Sequence, residues 1–153
     1  NCENYTIKEE NINTAVDTCG FVSRVAIDKV LEYTDLFLYD LKAIDADVHL
    51  ECTGRSNEII LDNLRYIDSK NKSIEIRYPY VPGWNSSEAE KIAEFVKRLK
   101  NLTQVKILPY HNYSATKYDS LDMENTMPDT IPEEEEITAV KAMFLNKGII
   151  VGD

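Results

Sequence analysis

Charged side chains stand at the ends of several apolar runs in this sequence. Asp40 and Lys42 lie two residues apart at the end of the run Leu36–Lys42, and Asp17 closes an earlier run. Since side chains alternate between the two faces of a strand, the Asp40 carboxylate and the Lys42 ammonium share one face. Such a pair either binds a charged ligand or forms a simple ion pair at the rim of a sheet.

Two later runs end near a guanidinium and an imidazole. Arg77 lies near the end of Ile74–Val81, and His111 directly follows Val105–Tyr110. The carboxyl ends of parallel strands meet at one edge of a sheet, where ligands bind. We therefore expect these two side chains to converge on one pocket with the charged groups of the earlier runs.

The predicted pocket carries both signs of charge. Lys42 and Arg77 suit a carboxylate, whereas Asp17 and Asp40 suit an ammonium group or a small cation. This mixture predicts a pocket for a zwitterion rather than for a bare phosphate. A Schiff base on Lys42 is an alternative chemistry, although a carboxylate two positions away argues against it, because a nearby negative charge raises the pKa of a lysine.

Strands and helices that alternate along the chain position these side chains. Apolar periodicity predicts strands at Asn13–Asp17, Leu36–Lys42, Ile74–Val81, Val105–Tyr110 and Gly148–Val151. It predicts helices at Val22–Tyr33, Asn57–Ser69, Ser86–Lys100 and Pro132–Asn146. Repeated strand-helix units of this kind indicate a single α/β domain with a parallel sheet.

Two helix starts and one long connection carry local signals. Asn85 or Ser86 is the predicted cap of the third helix. The proline and glutamates of 132–136 suit the first turn of the fourth helix, where the helix dipole favours negative charge. Tyr110–Ile131 has turn formers and no period, so we expect a loop that acts as a lid or as a docking surface for a partner.

Composition disfavours several classes of protein. The chain has 153 residues, 43% of them hydrophobic, and a formal net charge of −10. We therefore expect a soluble protein that binds neither nucleic acid nor a membrane. Cys2, Cys19 and Cys52 fit no disulfide framework and no metal hook, which predicts a reducing cytoplasm, with Cys19 and Cys52 as ordinary buried or half-buried thiols. A chain that starts at Asn1 is expected to be processed or to be a piece of a longer protein.

Five ordered motifs resemble the C-terminal part of one enzyme family. They are DTCGF at 17–21, YDLK at 39–42, TGRSN at 53–57, RYPYVPGWN at 77–85 and LPYH at 108–111. The sequence resembles the glycyl radical enzyme activating enzymes, radical S-adenosylmethionine (SAM) proteins of which pyruvate formate-lyase activating enzyme is the best known. The resemblance implies a partial parallel (βα) barrel of the radical SAM type that lacks its first strands.

The resemblance also implies which residues hold the cofactor. Lys42 matches the lysine that holds the methionine carboxylate of S-adenosylmethionine. Asp40 and Leu41 belong to the same binding stretch. His111 matches a histidine that contacts the cofactor from the last strand of the barrel.

A cation site and a peptide contact follow from the same resemblance. Asp17, Thr18 and Asp40, together with the Leu38 backbone, match a monovalent cation site beside the cofactor carboxylate. Arg77 matches an arginine that lines the cavity where the target peptide enters.

Two motifs of the family do not occur in this sequence. The family holds a [4Fe–4S] cluster with CxxxCxxC and contacts the cofactor amine with GGE, and neither is present. Cys19 and Cys52 follow different predicted strands and cannot replace the cluster ligands. We therefore expect the chain alone to be inactive. A degenerate, non-catalytic interaction module of the same fold is the alternative.

For the intact enzyme, the resemblance implies radical chemistry on a partner protein. A reduced cluster passes an electron to S-adenosylmethionine, and the resulting 5′-deoxyadenosyl radical abstracts hydrogen from a glycine. The implied partner is a glycyl radical enzyme such as pyruvate formate-lyase, and the implied reductant is a flavodoxin or a ferredoxin.

Overall fold

Five strands form one sheet in the part of the chain that the structure describes. A computed structural model of the chain describes residues 12–111, 128 and 130–153. The strands are β1 (Ala15–Thr18), β2 (Leu36–Asp40), β3 (Ser73–Tyr80), β4 (Leu102–Pro109) and β5 (Val151–Gly152). They lie in chain order, and each neighbouring pair is parallel. The predicted α/β class with a parallel sheet is confirmed.

The predicted helices are present, with ends that differ by a few residues. They are α1 (Arg24–Leu31), α3 (Glu58–Ser69), α4 (Ala89–Val96) and α5 (Glu134–Asn146). The glutamates of 134–136 occupy the first turn of α5, as predicted. The predicted cap at Asn85 or Ser86 is wrong, because a short 3-10 turn (Ser86–Glu88) precedes α4 and no side chain caps either element.

One helix, α2 (Ala46–Thr53), is not predicted from the sequence. Only His49 of this helix is buried, so its apolar residues mark no clear face. The signals that could have revealed α2 lie at its ends. The Asp45 side chain accepts hydrogen bonds from the N–H groups of Asp47 and Val48, and Gly54 ends the helix with a φ of 70°.

Among the described residues, the helices cover one face of the sheet and leave the other, the open face, uncovered. Alternate side chains of β2 and β3, such as Phe37, Tyr39, Ile76 and Tyr78, are fully buried in one core with residues of the helices. The intervening side chains are only half-buried. A parallel sheet with helices on one face corresponds to part of a (βα) barrel, whose inner surface is the open face.

Two features of the sequence fall largely outside this description. One is Cys2, which lies outside the described residues. The other is the predicted Tyr110–Ile131 loop, of which residues 112–127 and 129 lie outside them. Among the described helices, none is long and apolar enough to cross a membrane.

Glu94 on α4 joins this helix to the end of α5 and is expected to make stability depend on pH. Its carboxylate accepts hydrogen bonds from Lys147 and Lys97, which lower the pKa of Glu94 from 4.5 to about 2. Because the folded protein favours the charged form, this contribution is present above pH 4.5 and is lost as the pH falls toward 2. Glu94→Gln should therefore lower the Tm at neutral pH, and this difference should shrink as the pH is lowered.

The measurement is thermal unfolding of both proteins from about pH 7 to about pH 3. Glu90→Gln is the control, because Glu90 is more exposed and lies 3.4 Å from Lys147. Its effect on Tm should be small at every pH. A Glu94→Gln difference that stays constant on acidification would contradict the assignment.

Candidate functional site

Four of the predicted site residues meet on the open face of the sheet. The Arg77 Nε on β3 donates to Asp40 Oδ1 on β2 at 2.9 Å, and Arg77 Nη2 lies 2.8 Å from the same oxygen in an ion pair. Its Nη2 also donates to the Asp17 carboxylate on β1. The Lys42 ammonium, just beyond β2, lies 3.6 Å from Asp40 Oδ2. The structure thus brings two carboxylates and two cations into one cluster, which we call the charged cluster.

Strand register explains how side chains from three strands meet. Asp40 lies directly opposite Arg77, and Asp17 lies opposite Leu38 on the other side of β2. These positions share one face because strand side chains alternate. Neighbouring strands are only about 4.8 Å apart, so the long Arg77 side chain reaches across β2 to Asp17.

Two carboxylates keep the Arg77 guanidinium ionised although it is largely buried. Its side chain is 20% exposed, against 25% for Asp40 and 61% for Asp17. Burial lowers the pKa of Arg77, but the hydrogen bonds and charges of the two carboxylates outweigh burial, so the pKa lies above its ordinary value. The guanidinium therefore stands between the two carboxylates that the sequence predicts as cation ligands, and a small cation there would have to compete with it.

Two other predicted residues point away from the open face, and a third lies just beyond β4. The Thr18 side chain lies on the opposite face of β1 from Asp17, and its hydroxyl accepts a hydrogen bond of 2.9 Å from the Gly20 N–H. Leu41 is fully buried in the core. His111 is exposed and follows the end of β4. Among the described residues, no three His, Cys, Asp or Glu side chains are grouped to hold a metal ion.

The open face carries further polar side chains that the sequence did not single out. Gln104 on β4 lies opposite Glu75 on β3 and donates to its carboxylate at 2.6 Å. Lys106 lies opposite Arg77. Strand alternation counted back from Arg77 would have found Glu75, two positions earlier. The open face therefore stays polar from the charged cluster toward the amino ends of β3 and β4.

An apolar cavity lined in part by Lys42 lies at the carboxyl ends of β2, β3 and β4. Its volume is about 310 Å³, and its walls include Pro79, Val81, Trp84 and Tyr110. A cavity of this kind beside a cation suits a ligand that joins an apolar group to a carboxylate. The cavity thus extends the predicted zwitterion site from the charged cluster past the carboxyl ends of the strands.

The two described cysteines differ in exposure. Cys52 lines the same cavity and is half-buried, which confirms that part of the prediction. Burial, followed by the negative charges of Glu51 and Glu88, raises the pKa of the Cys52 thiol. Cys19 is exposed, so its prediction as a buried or half-buried thiol is wrong. It directly follows Thr18, the last residue of β1.

Comparison with known sequences gives one family and several relatives. The sequence model of the radical SAM superfamily matches residues 2–96. The trans-4-hydroxy-L-proline dehydratase activating enzyme of Clostridioides difficile is 37% identical over 142 residues, which are 90% of this chain and 47% of that protein. The pyruvate formate-lyase 1-activating enzyme of Escherichia coli (strain K12) is 35% identical over 133 residues, or 84% of this chain and 54% of that protein. The chain spans about half the length of these curated relatives.

Solved structures share the fold. A domain of pyruvate-formate lyase-activating enzyme from Bacteroides vulgatus superposes with a TM-score of 0.76 at 26% identity, covering 95% of this chain and 83% of that chain. Streptococcus suis SuiB bound to S-adenosylmethionine has a TM-score of 0.60 at 12% identity, covering 95% of this chain and 32% of that chain. The second likeness supports the fold alone.

Proposed function

Because the chain belongs to the radical SAM superfamily, we propose that it is part of an activating enzyme for a glycyl radical enzyme. The observation that carries the proposal is the charged cluster, in which Lys42, Asp40, Arg77 and Asp17 meet on the open face of a barrel-like sheet. Relatives named as activating enzymes for several glycyl radical enzymes support the same reading. The partner would be a protein of the pyruvate formate-lyase kind.

The described residues fit S-adenosylmethionine. Its methionine part is a zwitterion that also carries an apolar chain, and Lys42 belongs to the charged cluster and also lines the apolar cavity. We assign the methionine carboxylate to Lys42, with Asp40 and Leu41 in the same stretch and His111 contacting the cofactor from the end of β4. When bound, S-adenosylmethionine supplies the radical chemistry of the superfamily.

The rest of the site serves charge balance and access for the target peptide. A monovalent cation beside the cofactor is proposed to bind Asp17, Asp40 and Thr18, and it would replace part of the bonding between the two aspartates and Arg77. Released in this way, the Arg77 side chain would be free to line the entrance for the target glycine. A low-polarity cavity beside the site would help to exclude water from the reaction.

The described part of the chain does not fit a [4Fe–4S] cluster. Its cysteines are Cys19 after β1 and Cys52 on α2, and no group of three potential metal ligands occurs among the described residues. No step of the mechanism is therefore assigned to a cluster in this chain. Cluster ligands and the reductant, a flavodoxin or a ferredoxin, would belong to the intact enzyme.

The second candidate is a non-catalytic interaction module of the same fold. The two candidates differ in the coding sequence upstream of Asn1. An in-frame CxxxCxxC and a GGE motif there would support the activating enzyme. A start codon directly before Asn1 would support the interaction module.

Lys42→Ala and His111→Ala are each expected to weaken S-adenosylmethionine binding by the full-length protein about tenfold. The physical reason is the loss of one hydrogen bond to a charged group, worth about 1.5 kcal/mol. Isothermal titration calorimetry gives the affinities. Lys29→Ala, on the exposed part of α1, is the control and should bind as the parent protein does. Unchanged affinity in both site variants would refute the assignment.

A further inference from the structure

Three buried side chains hold the main chain that follows β2. This stretch, residues 42–45, begins at Lys42, whose ammonium belongs to the charged cluster. Asn57, Asn85 and Glu88 are all buried. Their bonds run to the carbonyl oxygens of Lys42, Ala43 and Ile44 and to the N–H groups of Ile44 and Asp45, at 2.8 to 3.2 Å. The backbone around Lys42 is therefore fixed by buried side chains.

A proline explains why a side chain is needed at this point. The last ladder bond between β2 and β3 runs from the Leu41 N–H to the Arg77 carbonyl at 2.9 Å. In a parallel ladder the next bond would come from the N–H of residue 79 to Leu41, but Pro79 has no N–H. The Asn85 Nδ2 instead donates to the Pro79 carbonyl at 2.7 Å and to the Lys42 carbonyl at 2.8 Å. One side-chain amide thus joins the two strand ends where the ladder stops.

The other polar groups of Asn85 are also bonded to this region. Its Oδ1 accepts from the Val81 N–H at 2.8 Å, and its backbone carbonyl accepts from the Tyr78 hydroxyl at 2.5 Å. The amide orientation is therefore determined, because the oxygen must face an N–H and the nitrogen must face two carbonyl groups.

We propose that Asn85 is a positioning residue for Lys42. It acts on Lys42 through the main chain, and it also lines the apolar cavity beside Lys42. The side chain of Lys42 has four flexible bonds. The positions that its ammonium can reach therefore depend on where the main chain of Lys42 is held. What Lys42 binds rests on the proposed function, whereas the fixing of residues 42–45 rests on hydrogen bonds alone.

Asn85→Asp tests the backbone part without any cofactor. The aspartate keeps the shape and the acceptor for Val81 but removes both donors and places a carboxylate oxygen near two carbonyl groups. Hydrogen exchange followed by mass spectrometry should show at least tenfold faster exchange in residues 42–45, beyond any change in the β3 amides. Exchange that rises equally in both segments, or in neither, would overturn the proposal.

Asn63→Asp is the matched control. Asn63 is equally buried, and its Nδ2 also donates to two carbonyl groups, those of Gly20 at 2.9 Å and Val22 at 2.8 Å. This change should speed amide exchange in residues 20–22. The exchange rate of residues 42–45 relative to that of the β3 amides should stay as it is in the parent protein. Selective loosening of residues 42–45 by the control would also overturn the proposal.

A double-variant cycle in the full-length protein tests the link to Lys42. Asn85→Asp should weaken S-adenosylmethionine binding about tenfold in the parent protein and have little effect in the Lys42→Ala background. Equal loss in both backgrounds would mean that Asn85 acts only on general stability and would overturn the proposal. Absence of binding by the parent protein would instead refute the proposed function, and the exchange experiment would still decide the role of Asn85.

Discussion

Arg77→Ala is expected to lower the free energy of unfolding by about 2 to 3 kcal/mol at neutral pH. The change removes the guanidinium that lies between the Asp17 and Asp40 carboxylates. Both carboxylates would stay close together, and Asp40 is only 25% exposed, so water would not fully replace the lost partner. The expected cost is below that of a fully buried pair because Asp17 is largely exposed.

Urea unfolding measures this effect, and Arg65→Ala provides the control. The Arg65 guanidinium also bonds a carboxylate at 2.9 Å, that of Asp62, but both side chains are more than half exposed. Its removal should cost no more than about 0.5 kcal/mol. Equal losses in the two variants would show that the charged cluster adds nothing beyond a surface pair.

The same variant separates two roles for Arg77 in the full-length protein. If Arg77 lines the peptide entrance, Arg77→Ala should impair activation of the glycyl radical enzyme more than it impairs S-adenosylmethionine binding. A greater loss of S-adenosylmethionine binding than of activation would instead assign Arg77 to the cofactor site. Binding by calorimetry and glycyl radical yield by electron paramagnetic resonance give the two quantities.

Gly20→Ala is expected to have the larger effect, a loss of about 4 kcal/mol of stability. Gly20 has a φ of 72°, and a Cβ at this position would overlap the hydroxyl group of Tyr39. Tyr39 cannot move aside easily, because it is fully buried and its hydroxyl donates to the Ile60 carbonyl at 2.7 Å. The same shift would disturb the turn after β1, where the Gly20 N–H bonds the Thr18 hydroxyl.

Gly54→Ala separates backbone strain from this overlap. Gly54 has a φ of 70°, and nothing lies within 4 Å of the place where its Cβ would be. It should therefore show only the conformational cost, about 1 kcal/mol. The difference between the two variants in urea or thermal unfolding measures the overlap with Tyr39. Similar losses for both would contradict this account of Gly20.

Local sequence was enough to predict most elements, and its failures have local causes. The strands and four helices follow from apolar periodicity because each buries one face against a common core. α2 buries only His49, so its periodicity is weak. Asn85 stands directly before a run of serines and a glutamate, which is typical of a helix cap, yet its amide is used between two strand ends.

For the candidate site, the sequence by itself determined which groups share a face. Strand alternation placed Asp40 beside Lys42, and the parallel order of strands brought Asp17 and Arg77 to the same edge, as the structure shows. The motifs carried the resemblance to the radical SAM family, which the comparison confirms. These inferences need only neighbouring residues and the pleat of a strand.

Only the tertiary structure decided how those groups are paired and what holds them. Arg77 reaches Asp17 across β2 because the register between strands distant in sequence sets their spacing. Asn85 lies 43 residues from the carbonyl of Lys42 that it holds. Hydrogen bonds over such separations depend on the folded arrangement of several elements, and no local pattern encodes them.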